Sequence, residues 1–207
     1  MSHNIMIDLE TLGTTADSVI LSIGAVRFDL EAGTVFDDEG STFYRSVAVE
    51  KQVGRTISAD TLTWWTGQGK DAQAVFTEPK TSLVFALMDL QEWVDPTEGA
   101  YPYVWSNGAD FDLPMLVHAF DQAELVCPWK PYAGRCYRTF KNLPGARAIK
   151  VERQGQHHNA LDDAIYQARH LCAIHQSLFA PTSTAEDFEM TGVDPFTPVS
   201  LGEGASA

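Results

Sequence analysis

The chain has 207 residues, of which 44% are hydrophobic, 20% charged and 11% aromatic, the proportions of one soluble globular domain rather than of a disordered or fibrous chain. No stretch approaches the roughly 18 to 20 uninterrupted apolar residues of a membrane span, and the opening MSHNIMIDLE lacks the layout of a secretory signal. Cys127, Cys136 and Cys172 form no C-x-x-C pair, so a cytoplasmic, membrane-free protein with reduced thiols is expected. Twenty-eight acidic against 14 basic residues give a net charge of −14, which excludes a protein that coats nucleic acid over its whole surface.

Residues 5–9 form a short apolar run, and residues 18–28 (SVILSIGAVRF) a longer one rich in β-branched side chains. Both predict strands, with a turn at Gly13 to Thr15 between them. Residues 41–47 (STFYRSV) alternate as a third strand after the acidic turn at 37–40, so the first three strands form a meander. Ser58 is a good N-cap for the helix SADTLTWWTGQ. Residues 81–94 place Leu83, Leu87, Leu90 and Val94 at helical spacing before Pro96 stops the run. Residues 103–106 (YVWS) read as a buried strand, 112–123 as a helix that tolerates Pro114 in its first turn, and 159–179 as the last helix. Three strands, then helices, then a strand and further helices predict one α/β domain over residues 1–180 with a mixed central sheet of about five strands flanked by helices. Residues 181–207 hold five acids, no Lys or Arg and three prolines, and are expected to be a flexible acidic tail that Phe188, Met190 or Phe196 could anchor.

Charge is unevenly distributed. Residues 130–153 contain Lys130, Arg135, Arg138, Lys141, Arg147, Lys150 and Arg153 against the single acid Glu152, so this window carries +6 and the other 183 residues −20. A basic segment on an acidic body suggests an anionic ligand held at one place.

Three acidic elements carry chemistry. Asp8 and Glu10 flank Leu9 at the end of the first strand, where the period of two sends both carboxylates to one face. Two carboxylates side by side repel unless a cation lies between them, and an all-oxygen site suits a hard divalent ion. The spacing recurs at Asp37/Glu39 and Asp187/Glu189, but only the first pair follows an apolar strand; the others read as solvated. Asp112 lies after the Asn107-Gly108 turn and Phe111, near a helix start, where it is either an N-terminal charge complementing the helix dipole or part of a site at the end of a strand. In HHNALDD, Asp163 is on the last helix and His158 just before it. Asp162 projects about 100° away from Asp163 and reads as a surface residue, although spacing alone could pair His157 with Asp162 instead.

Together the D-x-E of Asp8 and Glu10, the Asn107…Phe111-Asp112 stretch and the H-x-A-x-x-D of His158, Ala160 and Asp163 resemble the DEDDh 3′-to-5′ exonuclease superfamily, the group of polymerase proofreading subunits, oligoribonuclease and ribonuclease T. The resemblance covers residues 4–179 and selects His158, because no alanine stands two residues after His157. Residues 22–26 (SIGAV) and 61–65 (TLTWW) further resemble the branch of phage-type exonuclease A and small bacterial exoribonucleases. Residues 134–139 (GRCYRT) depart from that branch's R-D-x-R-T-like stretch by carrying Cys136 and Tyr137.

The resemblance implies a ribonuclease H-like fold and a metal-dependent exonuclease that releases nucleoside 5′-monophosphates from single-stranded or short 3′ ends. It implies two Mg²⁺ or Mn²⁺ ions held by Asp8, Glu10, Asp112 and Asp163, with His158 as general base, and a possible homodimer. Leu9, Thr11, Leu12 and Asn107 are then expected at the terminal nucleotide, Trp64 or Trp65 as a base-stacking surface with the other in packing, and Arg135, Arg138 and Lys141 near phosphates; Phe111 is expected in the core. Two rivals differ by test. A silent nucleic-acid- or protein-binding module of the same fold releases no mononucleotides, and an internal-cutting nuclease cleaves circles.

Overall fold

The computed structural model describes residues 4–94 and 101–179. Its strands are β1 (Asn4–Thr11), β2 (Ile20–Asp29), β3 (Thr34–Phe36), β4 (Thr42–Ser46), β5 (Tyr103–Ser106) and β6 (Gly134–Cys136). The helices are α1 (Ala59–Thr66), α2 (Leu83–Val94), α3 (Asp112–Gln122), the single turn α4 (Tyr137–Phe140) and α5 (Ala160–Phe179). The sheet runs β3-β2-β1-β5-β6, with β4 also on β2. β1 and β2 are antiparallel, β1 and β5 parallel, and β5 and β6 parallel, so the sheet is mixed. The meander is present with β4 as its third strand, paired with Ser22 to Val26, and the structure adds the short β3, which pairs with the end of β2 at Arg27 to Asp29. β3, β6 and α4 are too short to have a period that sequence can register.

The pleat of β1 sorts its side chains. Ile5, Ile7 and Leu9 enter the larger core beneath α2 and α3, with Leu87, Leu90, Met115, Leu116 and Phe120. Met6 points to the other face, under α5, with Val26, Phe28 and Trp105. Ala160, Ala164 and Ala168, spaced by four on α5, are fully buried. Their small side chains let that helix lie close on the sheet. A third cluster, Leu12, Val19, Leu21, Trp65, Ala72 and Val75, seals the end of the sheet where β1 finishes.

Ser58 caps α1, its hydroxyl accepting from the Thr61 amide. α2 begins two residues after Thr81 and runs to Val94; Pro96 and the segment 181–207 lie outside the described residues. Among the described residues no helix is long and apolar enough to cross a membrane.

Candidate active site

β1 pairs with β5 only as far as Met6 and then runs on alone to Thr11 on that edge. This opens its backbone to other partners. The Leu9 amide donates to the Asp112 carboxylate at 3.2 Å, tying the first residue of α3 to the strand that carries Asp8 and Glu10. Asp112 is only 3% exposed and is the first residue of α3, the helix packed on the face of β1 opposite α5. Asp8 and Glu10 continue the Met6 face and meet α5, where Asp163 projects toward them. Oxygens of Asp8, Glu10 and Asp163 lie within 4.8 Å of one another, a spacing that suits oxygen ligands of one hard cation.

Burial is the first cause of the perturbed acidity here. It raises Asp8 well above the ordinary carboxylate range, with Asp112 and Glu10 adding repulsion. It raises Glu10 to about 8, helped by Asp112, and Asp112 to about 7 despite the Leu9 amide. Three carboxyls that resist ionisation together form a site whose charge a divalent cation would neutralise. The chemistry of the donor set therefore fits Mg²⁺ or Mn²⁺.

Two side chains outside the sequence motifs hold this cluster. Gln167, one turn after Asp163, donates from Nε2 to Asp8 Oδ1 at 2.7 Å. Arg153 forms an ion pair with Asp163 Oδ1. Gln167 was findable as the residue four positions after Asp163 on the same helix face. Arg153 sits within the basic window, but nothing in its spacing singles it out.

His158 begins the turn into α5 in the left-handed region, φ 62°, a conformation a non-glycine residue adopts at a cost. Its amide faces Asp163 Oδ2 at 3.3 Å. Its ring stands edge-on to Trp64, centroids 4.9 Å apart. Burial, then His157, then Arg153 lower its pKa, so it is the neutral imidazole near pH 7. His157 lies beside it, 5.1 Å between ring centroids, and one of its nitrogens also reaches within 4.8 Å of an Asp163 oxygen. Asp162 is not a free surface group: it accepts the Gln156 amide at 2.7 Å and anchors the loop that delivers His158.

The carboxylates open into a cleft of about 480 Å³ whose lining includes Leu9, Asn107, Tyr137, Lys141, Arg153 and His158. A second, more apolar cavity of about 360 Å³ adjoins it, sharing Leu9 and Glu10 and walled by Thr11, Trp64, Trp65 and Phe111. Trp64 is 44% exposed there, whereas Trp65 is 3% exposed and donates from Nε1 to the Thr11 carbonyl. Phe111 packs on the larger core and also reaches this cavity. Leu12 is buried in the end cluster and lines neither space.

The basic window divides. Lys141 Nζ donates to Asn107 Oδ1 at 3.1 Å on the cleft wall. Arg138 donates to the Asn107 carbonyl at 2.6 Å and lies close enough to Asp112 to favour its ionised form. Arg135 is elsewhere: its guanidinium stacks on Tyr103 and donates to the Tyr132 and Gly134 carbonyls, away from the cleft lining.

Among solved structures, the fold is similar to the nuclease domain of 3′hExo, a DEDDh family member bound to rAMP, with a TM-score of 0.57 and 15% identity over 85% of this chain and 92% of that one. It is similar to the Mg²⁺- and Mn²⁺-bound form of S. pombe Pop2p, with a TM-score of 0.59 and 16% identity over 84% and 83%. E. coli exonuclease I in complex with a dA16 oligonucleotide gives a TM-score of 0.58 and 13% identity over 86% of this chain but 41% of that one. These likenesses establish the ribonuclease H-like fold of DEDDh nucleases. No curated protein matches the sequence. Residues 3–175, nearly the whole described chain, match one family in sequence as well, and the protein therefore belongs to the Rv2179c-like 3′-5′ exoribonuclease domain family.

Proposed function

We propose that the protein removes nucleoside 5′-monophosphates one at a time from the 3′ ends of single-stranded or short RNA. The observation that carries this reading is the convergence of Asp8, Glu10 and Asp163 within ligand distance of one another, with Asp112 tied to the same strand and His158 at the rim. The family's description supports RNA, and the Mg²⁺ and Mn²⁺ in Pop2p support those ions.

Asp8, Glu10 and Asp163 would hold one ion, and Asp8 with Asp112 a second. Such a pair supplies an activated water and relieves charge on the attacking and leaving oxygens of an in-line displacement. The chain's own groups do the rest. His158, neutral near pH 7, accepts the proton of the attacking water. Its position against Trp64 and the hydrogen bond from its own amide to the Asp163 carboxylate hold the imidazole over the cleft. Trp64 offers a face for the terminal base in the adjoining cavity, with Leu9 and Thr11 beneath it. Asn107, Lys141 and Arg138 border the path of the phosphates. A body of net charge −14 with only Lys141 and Arg153 as basic residues lining the cleft disfavours grip on a long duplex and favours short ends.

The test is a parallel digestion of matched single-stranded RNA, single-stranded DNA, overhung duplexes and circles. Mononucleotides should appear from linear RNA only with Mg²⁺ or Mn²⁺, vanish with Asp8→Ala and fall strongly with His158→Ala. Internal fragments from a circle, or metal-independent release, would end this reading.

A further inference from the structure

Arg153 touches the carboxylate cluster without belonging to any of its motifs. It is paired with Asp163, the same carboxylate that shares ligand distance with Asp8 and Glu10. A cation cannot take Asp163 Oδ1 at full strength while a guanidinium is paired with it, so the arginine and a divalent ion compete for one group. The guanidinium also lies over the Tyr166 ring, 4.7 Å from its centroid. That face contact leaves the edge N–H groups free to turn toward another acceptor. The loop that carries it is fastened just beyond: Gln154 accepts from Arg169, which in turn grips Asp37, and the Gln156 amide donates to Asp162. The backbone is held, so only the side chain of Arg153 need move. Both Arg153 and Lys141 line the cleft in which a substrate phosphate would lie.

The geometry points to an exchange of partners at Arg153: a divalent ion that takes Asp163 displaces the guanidinium, which, still resting on Tyr166, takes the phosphate of the terminal nucleotide. Metal and nucleotide thereby strengthen each other's binding through one side chain. This rests on the metal-site reading above. Linkage makes the effect reciprocal: whatever factor the ion adds to phosphate affinity, the phosphate adds to ion affinity.

The experiment is calorimetry on the 207-residue chain with Mg²⁺ and with adenosine 5′-monophosphate, a product that undergoes no turnover. In Arg153→Ala, Mg²⁺ alone should bind about fivefold more tightly because its competitor is gone. Adenosine monophosphate should bind about fivefold more weakly when Mg²⁺ is saturating, yet within about twofold of the wild type when Mg²⁺ is removed, where Asp163 holds the arginine anyway. Arg153→Met, which keeps an apolar stem over Tyr166, reads the same quantities should the alanine variant fold poorly. Unchanged or weaker Mg²⁺ binding in both variants, or an equal loss of nucleotide affinity with and without Mg²⁺, would overturn the exchange. Its failure is separable: if wild type binds no Mg²⁺ that Asp8→Asn abolishes, the metal-site reading falls, and if wild type binds it and the Arg153 variants match, only the exchange falls.

Discussion

Gly24 on β2 is the direct antiparallel partner of Asp8 on β1, and a methyl group on it would occupy the same space as the backbone of Ala160, the first residue of α5. The helix that delivers Asp163 and Gln167 can approach the carboxylate strand only because Gly24 has no side chain. Gly24→Ala must push α5 outward or distort β2. Overpacking of this kind costs about 1–3 kcal/mol. Displacing Asp163 by about 1 Å should cost on the order of a hundredfold in rate. Urea unfolding together with kcat on a short RNA reads both. Normal kcat in Gly24→Ala would mean that the helix and strand do not need this contact.

The acidity of the carboxyl cluster gives a pH dependence with a definite sign. Burial holds Glu10 at about 8 and Asp112 at about 7, both above the values of the unfolded chain. Between the unfolded and folded values the native state binds more protons, so the metal-free fold loses stability as pH rises from about 4 through 8. A divalent ion needs these groups ionised. Its affinity should therefore rise with pH over the same window, and the Tm increase given by a fixed Mg²⁺ concentration should be larger at pH 8 than at pH 6. Thermal melts with and without Mg²⁺ at the two values measure it. An equal increase at both would contradict the buried, shared character of the cluster.

Trp64 and Trp65 are neighbours with different duties. Trp65 is buried and bonded to the Thr11 carbonyl, so Trp65→Phe should cost about 1–3 kcal/mol of stability, leaving that acceptor without its donor. Trp64 is exposed beside His158 and the apolar cavity. Trp64→Ala should raise KM by roughly the 1–3 kcal/mol of one stacked base while the folded state keeps most of its stability. Trp64→Phe should restore part of the affinity. Steady-state kinetics on short RNA with a parallel melt separates the two, and a KM unmoved by Trp64→Ala would remove stacking from the account.

The basic groups should divide in the same way. Lys141→Ala should flatten the dependence of log KM on log salt by about 0.7 per lost phosphate contact on a single strand. Arg135→Ala should leave that slope unaltered, because its guanidinium is spent on Tyr103 and two carbonyls. Kinetics across a salt series decides; equal flattening by both would place Arg135 on the substrate path.

What the sequence made legible were features with a period or a local chemistry. Asp8 and Glu10 share a face because a strand alternates, and the long helices show because leucines recur. Strand β6 forms by pairing with the distant β5, β3 is the short partner of β2 in a local hairpin and α4 is a single helical turn; three or four residues carry no period of their own. That turn after β6 is what separates Arg135 from Lys141, so a basic window that reads as one patch is split in space. Gly24 was visible as a letter in SIGAV, but its reason, the Ala160 backbone, lies across the sheet. The choice of His158 over His157 came from a pattern of residues and not from periodicity, and both rings face Asp163.

Asp162 is the instructive departure. Projected about 100° from Asp163 on an ideal helix, it reads as solvent-facing. The loop before α5 folds back over it instead. Gly155 adopts φ 77°, where a side chain would be strained, and a methyl group there would also overlap the Asp162 carboxylate. The Asp162 oxygen accepts the Gln156 amide, two residues before His158. Asp162 therefore fixes the segment from which the imidazole hangs without touching the reacting atoms. Asp162→Ala should lower kcat, since a loosened loop spends less time with His158 over the cleft, while Mg²⁺ affinity stays near wild type because Asp8, Glu10 and Asp163 are intact. Asp162→Asn keeps an oxygen acceptor and should recover most of the lost rate. Gly155→Ala should behave like Asp162→Ala, because it breaks the same contact from the other side. Single-turnover rates beside Mg²⁺ calorimetry on the three variants distinguish this from direct ligation: a large loss of Mg²⁺ affinity in Asp162→Ala would make Asp162 a ligand rather than the anchor of the histidine loop.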